Sequence, residues 1–173
     1  LISAAMSIVR GQDYSFDVLR LKEPAEAAAL LTSYQARKKS AAVELDFPES
    51  LPRVRASLAH SERFFINTVA NSLSFVPEGG KVKLAARPAE GGVLVEISDN
   101  GPGFPAKMLH ADVKAFDTTR PDMGGTGLGL YVCGQIARRH GGTMKLDNPP
   151  GGGSRISLFL PLEGPQAQAP EAL

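Results

Sequence analysis

A single cysteine, Cys133, stands among 173 residues, which excludes an intrachain disulfide framework and any multi-cysteine metal site. Excess charge of either sign is also missing: 19 Lys plus Arg face 18 Asp plus Glu, for a net charge of +1. That balance gives no electrostatic reason to expect a nucleic acid or an anionic membrane surface as partner. Long apolar runs are absent. The apolar opening at residues 1–9 ends at Arg10, far short of the ~20 residues a spanning helix needs. It also lacks the charged start and small-residue cleavage site of a secretory signal. No internal repeat is visible. With 43% apolar and 21% charged residues, the composition is that of a soluble globular domain in a reducing compartment, and the domain is expected in the cytoplasm. The first residue is Leu1 rather than Met, and the chain is expected to be a piece of a longer protein.

What is present reads as alternating helices and strands. Residues 1–10 place Ile2, Ala5, Met6 and Val9 at helical spacing, stopped by Gly11. Residues 17–22 alternate, Leu19 and Leu21 against Val18, Arg20 and Lys22, which predicts a half-buried strand. An Ala-rich stretch, 25–39, predicts one helix with Ala27, Leu30, Leu31 and Tyr34 on a common face. Arg37, Lys38 and Lys39 close it, as the helix dipole prefers. Strands are predicted at 43–47 and 53–58, a long helix at 61–76, and a hairpin of 81–87 with 93–98 around Glu90-Gly91-Gly92. Residues 99–125 have no period and many Gly, Pro and Asp, and read as a long loop, a kind of segment that is usually functional. A helix at 126–140 and paired strands at 142–146 and 155–160 follow. The Pro-, Ala- and Gln-rich end reads as a solvated tail. Without regular βαβ alternation the fold class is α+β: a two-layer sandwich of a mixed, mostly antiparallel sheet with helices packed on one face.

Three patterns carry chemistry. On the helix at 61–76, Asn67 and Asn71 sit four apart with Phe75 four further on, so all three share a face. Alone, two such residues describe a solvated polar face; turned inward, they offer carboxamides to a cation or a phosphate chain beside an aromatic wall. Asp99-Asn100-Gly101-Pro102-Gly103 follows an apolar strand directly. It is good turn chemistry, but it also places a carboxylate at the mouth of the long loop, able to accept from an exocyclic amine such as that of adenine. Gly124-Gly125-Thr126-Gly127-Leu128-Gly129-Leu130 leads into a helix, whose free N–H groups and dipole favour an anion. No Gly-Lys-Ser/Thr follows, and no strand precedes it, so it is neither a P-loop nor a dinucleotide fingerprint.

In this order the three patterns resemble the ATP-binding domain of sensor histidine kinases, in the GHKL ATPase superfamily with the gyrase, heat-shock chaperone and MutL-type enzymes. Residues 67–80 are similar to the N box, 99–103 to the G1 box and 125–130 to the G2 box, and Ile136 through Gly142 resembles the stretch that follows. The resemblance implies that Asn71 holds Mg²⁺ bridging the ATP phosphates, with Asn67 supporting the phosphate side. It implies that Phe75 flanks adenine and Asp99 accepts from its amino group. Gly101 and Gly103 would open the binding loop. The amides of Gly125, Thr126, Gly127, Leu128, Gly129 and Leu130 would cradle phosphate. The stretch between Gly103 and Gly124 would be an ATP lid, with Arg120 as its candidate cation and Phe116 as an F-box aromatic.

The chain departs from the family pattern in two places: Ser74 stands where Lys or Arg is common, and Val113 where the F box often has a first Phe. The family phosphorylates a histidine with an acidic neighbour on a separate helical hairpin. None of His60, His110 and His140 fits, and no other catalytic residue is expected here. The implied organisation is residues 1–12 as the end of a truncated dimerisation and phosphoacceptor helix, 13–162 as the catalytic domain and 163–173 as a flexible tail. The implied partners are that missing domain and a response regulator receiver domain, with the parent a homodimer and this chain a monomer. Cys133 reads as a small packed side chain. The implied activity is ATP-dependent phosphorylation of a histidine. The rival readings are a nucleotide-binding module that no longer transfers phosphate and an anti-sigma-type serine kinase.

Overall fold

The alternation of apolar and polar residues along the strands forces one face of a sheet inward, and a layer of helices covers that face. The computed structural model describes residues 14–109 and 128–166. Their elements run β1 (Asp17–Leu19), α1 (Lys22–Leu31), α2 (Ser33–Lys38), β2 (Ala42–Asp46), β3 (Val54–Ala56), α3 (Leu58–Phe75), β4 (Lys81–Ala89), β5 (Gly92–Asp99), α4 (Ala106–Leu109), α5 (Leu128–Arg139), β6 (Thr143–Asp147) and β7 (Ser154–Pro161). The main sheet has the order β2-β4-β5-β7-β6, with β2 parallel to β4 and every other pair antiparallel. A small antiparallel pair, β1 with β3, stands apart from it. The fold is thus the mixed α+β sandwich that the sequence predicts. The expected helix at 1–10 lies outside the described residues.

Val82, Leu84 and Ala86 of β4, Val93, Val95 and Ile97 of β5, and Ile156, Leu158 and Leu160 of β7 form the buried inner rows. Against them α3 lays Phe64, Phe65, Val69 and Leu73, and α5 lays Leu130, Cys133, Ile136 and Ala137. The outer face of the sheet carries charge: Arg155 forks onto the Asp147 carboxylate through Nε (3.0 Å) and Nη2 and reaches Glu96, which also pairs with Arg87. Asp147 and Glu96 raise the pKa of the Arg155 guanidinium. The β4–β5 hairpin turns over Glu90 and Gly91, as read from sequence, with Ala89 opposite Gly92. At the C-terminal side Gly164 is buried against Arg55, so the folded body continues past Leu162.

Three expectations need correction. The strand predicted at 17–22 stops at Leu19, because Arg20 and Leu21 already turn into α1 (Glu23 N–H donates to Arg20 O, 3.0 Å) and Pro24 suits a first helical turn. The single helix predicted at 25–39 is two, broken at Thr32, whose hydroxyl donates back to the Ala28 carbonyl at 2.8 Å. The predicted apolar face is also the wrong one. Pro24, Ala25, Ala28, Thr32 and Ala36 are buried, while Leu30, Leu31 and Tyr34 are 74%, 66% and 65% exposed. Small side chains won the inward face because α1 packs directly on α3, and alanines let the two backbones approach. Further differences are of extent: α3 begins at Leu58, β3 ends at Ala56 so that Ser57 can cap α3, and α4 lies within the predicted loop.

The far ends of α3 and α5 are fastened by histidines. Ser57, the N-cap of α3, accepts from the His60 N–H (3.4 Å) and shares a 2.7 Å hydrogen bond with His60 Nδ1. Its own N–H donates to His140 Nε2 at 3.0 Å, while His140 Nδ1 lies 2.8 Å from the Ile136 carbonyl. A carbonyl only accepts and an N–H only donates, so His140 is the neutral Nδ1–H tautomer. Tyr14 stacks on the His60 ring with centroids 3.6 Å apart. Burial pushes the Tyr14 phenol up to about 12, with Arg139 opposing.

Two predictions follow from this packing. Ala28→Leu is expected to destabilise the chain by about 1–3 kcal/mol through overpacking, and Leu30→Gln and Leu31→Gln by no more than about 0.5; chemical denaturation measures both, and the reverse ranking would restore the other face. Burial holds the His140 pKa below its ordinary 6.5. The unfolded chain therefore takes up the proton first. The His140 contribution should be complete above pH ~7.5, and stability should fall as pH drops below the unfolded value. His140→Gln should be less stable and lose that slope between neutral pH and the range where carboxylates titrate; an unchanged slope contradicts the buried neutral histidine.

Candidate functional site

The inner row of β5 runs Val93, Val95, Ile97 and then Asp99, so a carboxylate takes the last inward position of an apolar row. Its cross-strand partner is Ser154, the first residue of β7. The Ser154 hydroxyl donates to Asp99 Oδ2 at 2.6 Å, and the Gly101 N–H donates to Oδ1 at 2.9 Å. Two donors thus converge on a half-buried, acceptor-only group, and lone pairs remain on it for a third. Gly153, with φ +79°, precedes Ser154, and any Cβ there collides with the Asp99 carbonyl. That position takes glycine alone.

Asp99, Asn71, Phe75, Pro102, Gly103, Phe104 and Ser154 line one tight pocket, with room for about one water molecule. Asn71 and Phe75 reach it from successive turns of α3, as their spacing predicts. No described residue hydrogen-bonds the half-buried Asn71 carboxamide. Asn67 turns toward α5, where a Cβ at Gly129 would lie 3.9 Å from its own. Burial raises the Cys133 pKa and its Sγ lies 3.7 Å from the Phe64 carbonyl, so it is a packed thiol rather than a reactive one.

Gly101 and Gly103 stand in the loop after β5, as expected. A side chain at Gly101 would meet Asp99 Oδ1 at 3.0 Å and the Phe75 carbonyl at 3.2 Å, and one at Gly103 would meet Asn148. Leu128 opens α5, Gly129 faces Asn67 and Leu130 is buried. Phe116, Arg120, Gly125, Thr126 and Gly127 lie outside the described residues, as do Val113 and His110. Ser74 is exposed; its hydroxyl donates to the Ala70 carbonyl at 2.9 Å and accepts from Gln35 at 3.4 Å. The Lys39 ammonium donates to the Ser74 and Val76 carbonyls at the end of α3, where a cation suits the helix dipole. Sequence reasoning missed Ser154 and Asn148, because the run Pro149-Pro150-Gly151-Gly152-Gly153 between them reads as a plain turn.

The fold is an α+β sandwich with an Asp at a strand end beside an Asn-bearing helix, and comparison with known proteins gives the family. Residues 59–164 match the histidine kinase-, DNA gyrase B-, and HSP90-like ATPases, and the chain belongs to that family. The alginate biosynthesis sensor protein KinB of Pseudomonas aeruginosa is 34% identical over 128 residues, covering 74% of this chain and 21% of its own length. The sensor histidine kinase ZraS of Klebsiella oxytoca is 28% identical over 167 residues, 96% of this chain and 36% of that protein. The chain therefore spans a minor part of these relatives. The nucleotide-free catalytic domain of histidine kinase ThkA superposes with a TM-score of 0.75 at 26% identity, covering 86% of this chain and 99% of that one. Among the described residues no helix is long and apolar enough to cross a membrane.

The geometry makes Asp99→Asn a mild change for the fold. The Asn oxygen still accepts from Gly101, and the Ser154 hydroxyl rotates to accept from the new amide. The expected stability loss is about 1 kcal/mol or less by denaturant titration. A loss of several times that would mean that the carboxylate itself, not its acceptor geometry, holds the β5–β7 end together.

Proposed function

We propose that this chain binds Mg²⁺–ATP and presents the γ-phosphate to a histidine on a separate dimerisation domain, from which the phosphate passes to a response regulator aspartate. The observation that carries the reading is the Asp99 carboxylate, pinned by two donors in a pocket that Phe75 and Asn71 also line. A carboxylate so held accepts from an exocyclic amine and repels a carbonyl oxygen at the same place, which favours adenine over guanine. Phe75 supplies an apolar wall to the ring. Asn71 offers a neutral oxygen on the phosphate side of the same pocket.

No three His, Cys, Asp or Glu among the described residues gather to hold a metal ion. The Asn71 oxygen, a hard ligand without a partner among the described residues, fits a Mg²⁺ that would keep waters and phosphate oxygens as its other ligands. Held by Asn71, such an ion would supply charge neutralisation to the phosphates. The residues of this chain then contribute by position and electrostatics rather than covalent chemistry. The G2 glycines and Arg120 are assigned to the phosphates by the family resemblance. Histidine kinase ThkA has been crystallised in complex with the response regulator protein TrrA, which supports a receiver domain as the eventual acceptor. The acceptor histidine is assigned to a dimerisation domain outside this chain, whose last helix would end in residues 1–12; His60 and His140 are buried and hydrogen-bonded, which suits neither to the role. We read this domain as cytoplasmic and its parent as a homodimer.

Ser74 favours a second reading, a regulatory module that binds nucleotide without transferring it, since its hydroxyl is committed to Ala70 and Gln35 and offers no cation. Radiolabelled ATP added with a purified cognate hairpin domain separates the readings. Acid-labile label on the hairpin supports the kinase, acid-stable label a serine kinase, and no label the regulatory module. This chain alone is expected to remain a monomer with no acid-labile label. Asn71→Ala should abolish magnesium-dependent ATP binding in calorimetry while leaving the circular dichroism unchanged; wild-type affinity in that variant contradicts the metal assignment.

A further inference from the structure

Asn148, the first residue after β6, meets the loop leaving β5 as a neighbouring strand would. Its Oδ1 accepts from the Phe104 N–H at 2.8 Å, and its Nδ2 donates to the Phe104 carbonyl at 2.9 Å. Phe104 is buried and, with Gly103, forms a wall of the pocket that holds Asp99. Gly103 has φ +85°, and a Cβ there would stand 3.0 Å from both Cγ and Oδ1 of Asn148. The bare side of this glycine is therefore filled by the Asn148 carboxamide, which makes the two residues a matched pair. The same β6–β7 turn delivers the Ser154 hydroxyl to Asp99. One turn thus reaches the pocket at two places, the carboxylate and the opposite wall.

We propose that Asn148 is a positioning residue that fixes the Gly103–Phe104 wall of the pocket and so sets nucleotide affinity without touching the nucleotide. A carboxamide suits the task because it alone, among side chains of this length, donates and accepts at the spacing of a peptide group. Aspartate keeps the bond from the Phe104 N–H but turns an oxygen against the Phe104 carbonyl. Serine has one oxygen and cannot span both groups. The inference rests on the ATP-binding reading above.

The test compares the wild-type chain with Asn148→Ala, Asn148→Asp, Gly103→Ala and the Gly103→Ala/Asn148→Ala double variant. Mg²⁺–ATP affinity is read by calorimetry and amide protection by hydrogen exchange. Both Asn148 variants are expected to bind ATP about tenfold more weakly, the scale of one to two lost hydrogen bonds. The Phe104 amide should exchange faster while those of Val95 and Leu158, inside the sheet, keep wild-type protection. The double variant should lose less affinity than the product of the single losses, because the new methyl no longer meets a carboxamide. Affinity within twofold of wild type in Asn148→Ala overturns the inference. So does a uniform loss of protection across β5 and β7, which would make Asn148 a general structural residue, and so does a multiplicative double variant. Failure of the wild-type chain to bind ATP at all would instead remove the nucleotide reading beneath it.

Discussion

The last rung of the β5–β7 ladder, where Asp99 faces Ser154, is the constraint on which the rest of the site depends. Three apolar rungs precede it on the inner face, Val93 with Leu160, Val95 with Leu158 and Ile97 with Ile156, and they lock the register by burial. A slip of one residue would turn the carboxylate to the charged outer face and Leu94 and Glu96 inward. The hydrophobic rows therefore do more than hold the sheet together. They determine that one acid, at one strand end, points at α3 rather than at solvent, and Gly153 lets the partner strand come close enough for the hydroxyl to reach it.

Over that rung α3 presents a face of two kinds. Thr68 and Ser72 are buried with Val69 and Leu73, and the Thr68 hydroxyl is satisfied within the helix by the Phe64 and Phe65 carbonyls. Asn71 and Phe75 are left at the pocket, and Asn67 faces Gly129 of α5. Further along, the Cys133 Sγ lies 3.7 Å from the Phe64 carbonyl, and at the far end the Ser57 N–H donates to His140. The helices are thus joined at the end away from the pocket and in contact along their length. A pair of elements held this way keeps the carboxamide and the ring at fixed positions over Asp99, the preorganisation a binding site requires.

Much of this was legible in the sequence where a periodic pattern met a hard stop. The long helix with Asn67, Asn71 and Phe75, the Glu90-Gly91 hairpin and the Asp at the end of an apolar strand were readable, because each combines a period with a turn residue. The α1–α2 face was not. Leu30, Leu31 and Tyr34 outweigh Ala25, Ala28 and Ala36 on any hydrophobicity scale, yet close helix approach selects small side chains, and that preference depends on the partner helix. Ser154 and Asn148 were illegible for a related reason: their roles are long-range hydrogen bonds to Asp99 and Phe104, made by residues beside a Pro- and Gly-rich turn. The histidines gave no sign of their function either, since a neutral tautomer fixed by Ser57 and Ile136 exists only after two distant segments have met.

On the proposed reading, the nucleotide base enters the chain at the Asp99–Ser154 rung between β5, β7 and α3. An amide-resolved NMR titration of the wild-type chain with Mg²⁺–ATP tests it most directly. The account predicts that Gly101, Gly103, Ser154 and the amides around Phe75 shift first and saturate together, with the Tyr14, His60 and His140 end unmoved. Saturating shifts at that far end with Gly101 and Ser154 unchanged would contradict it.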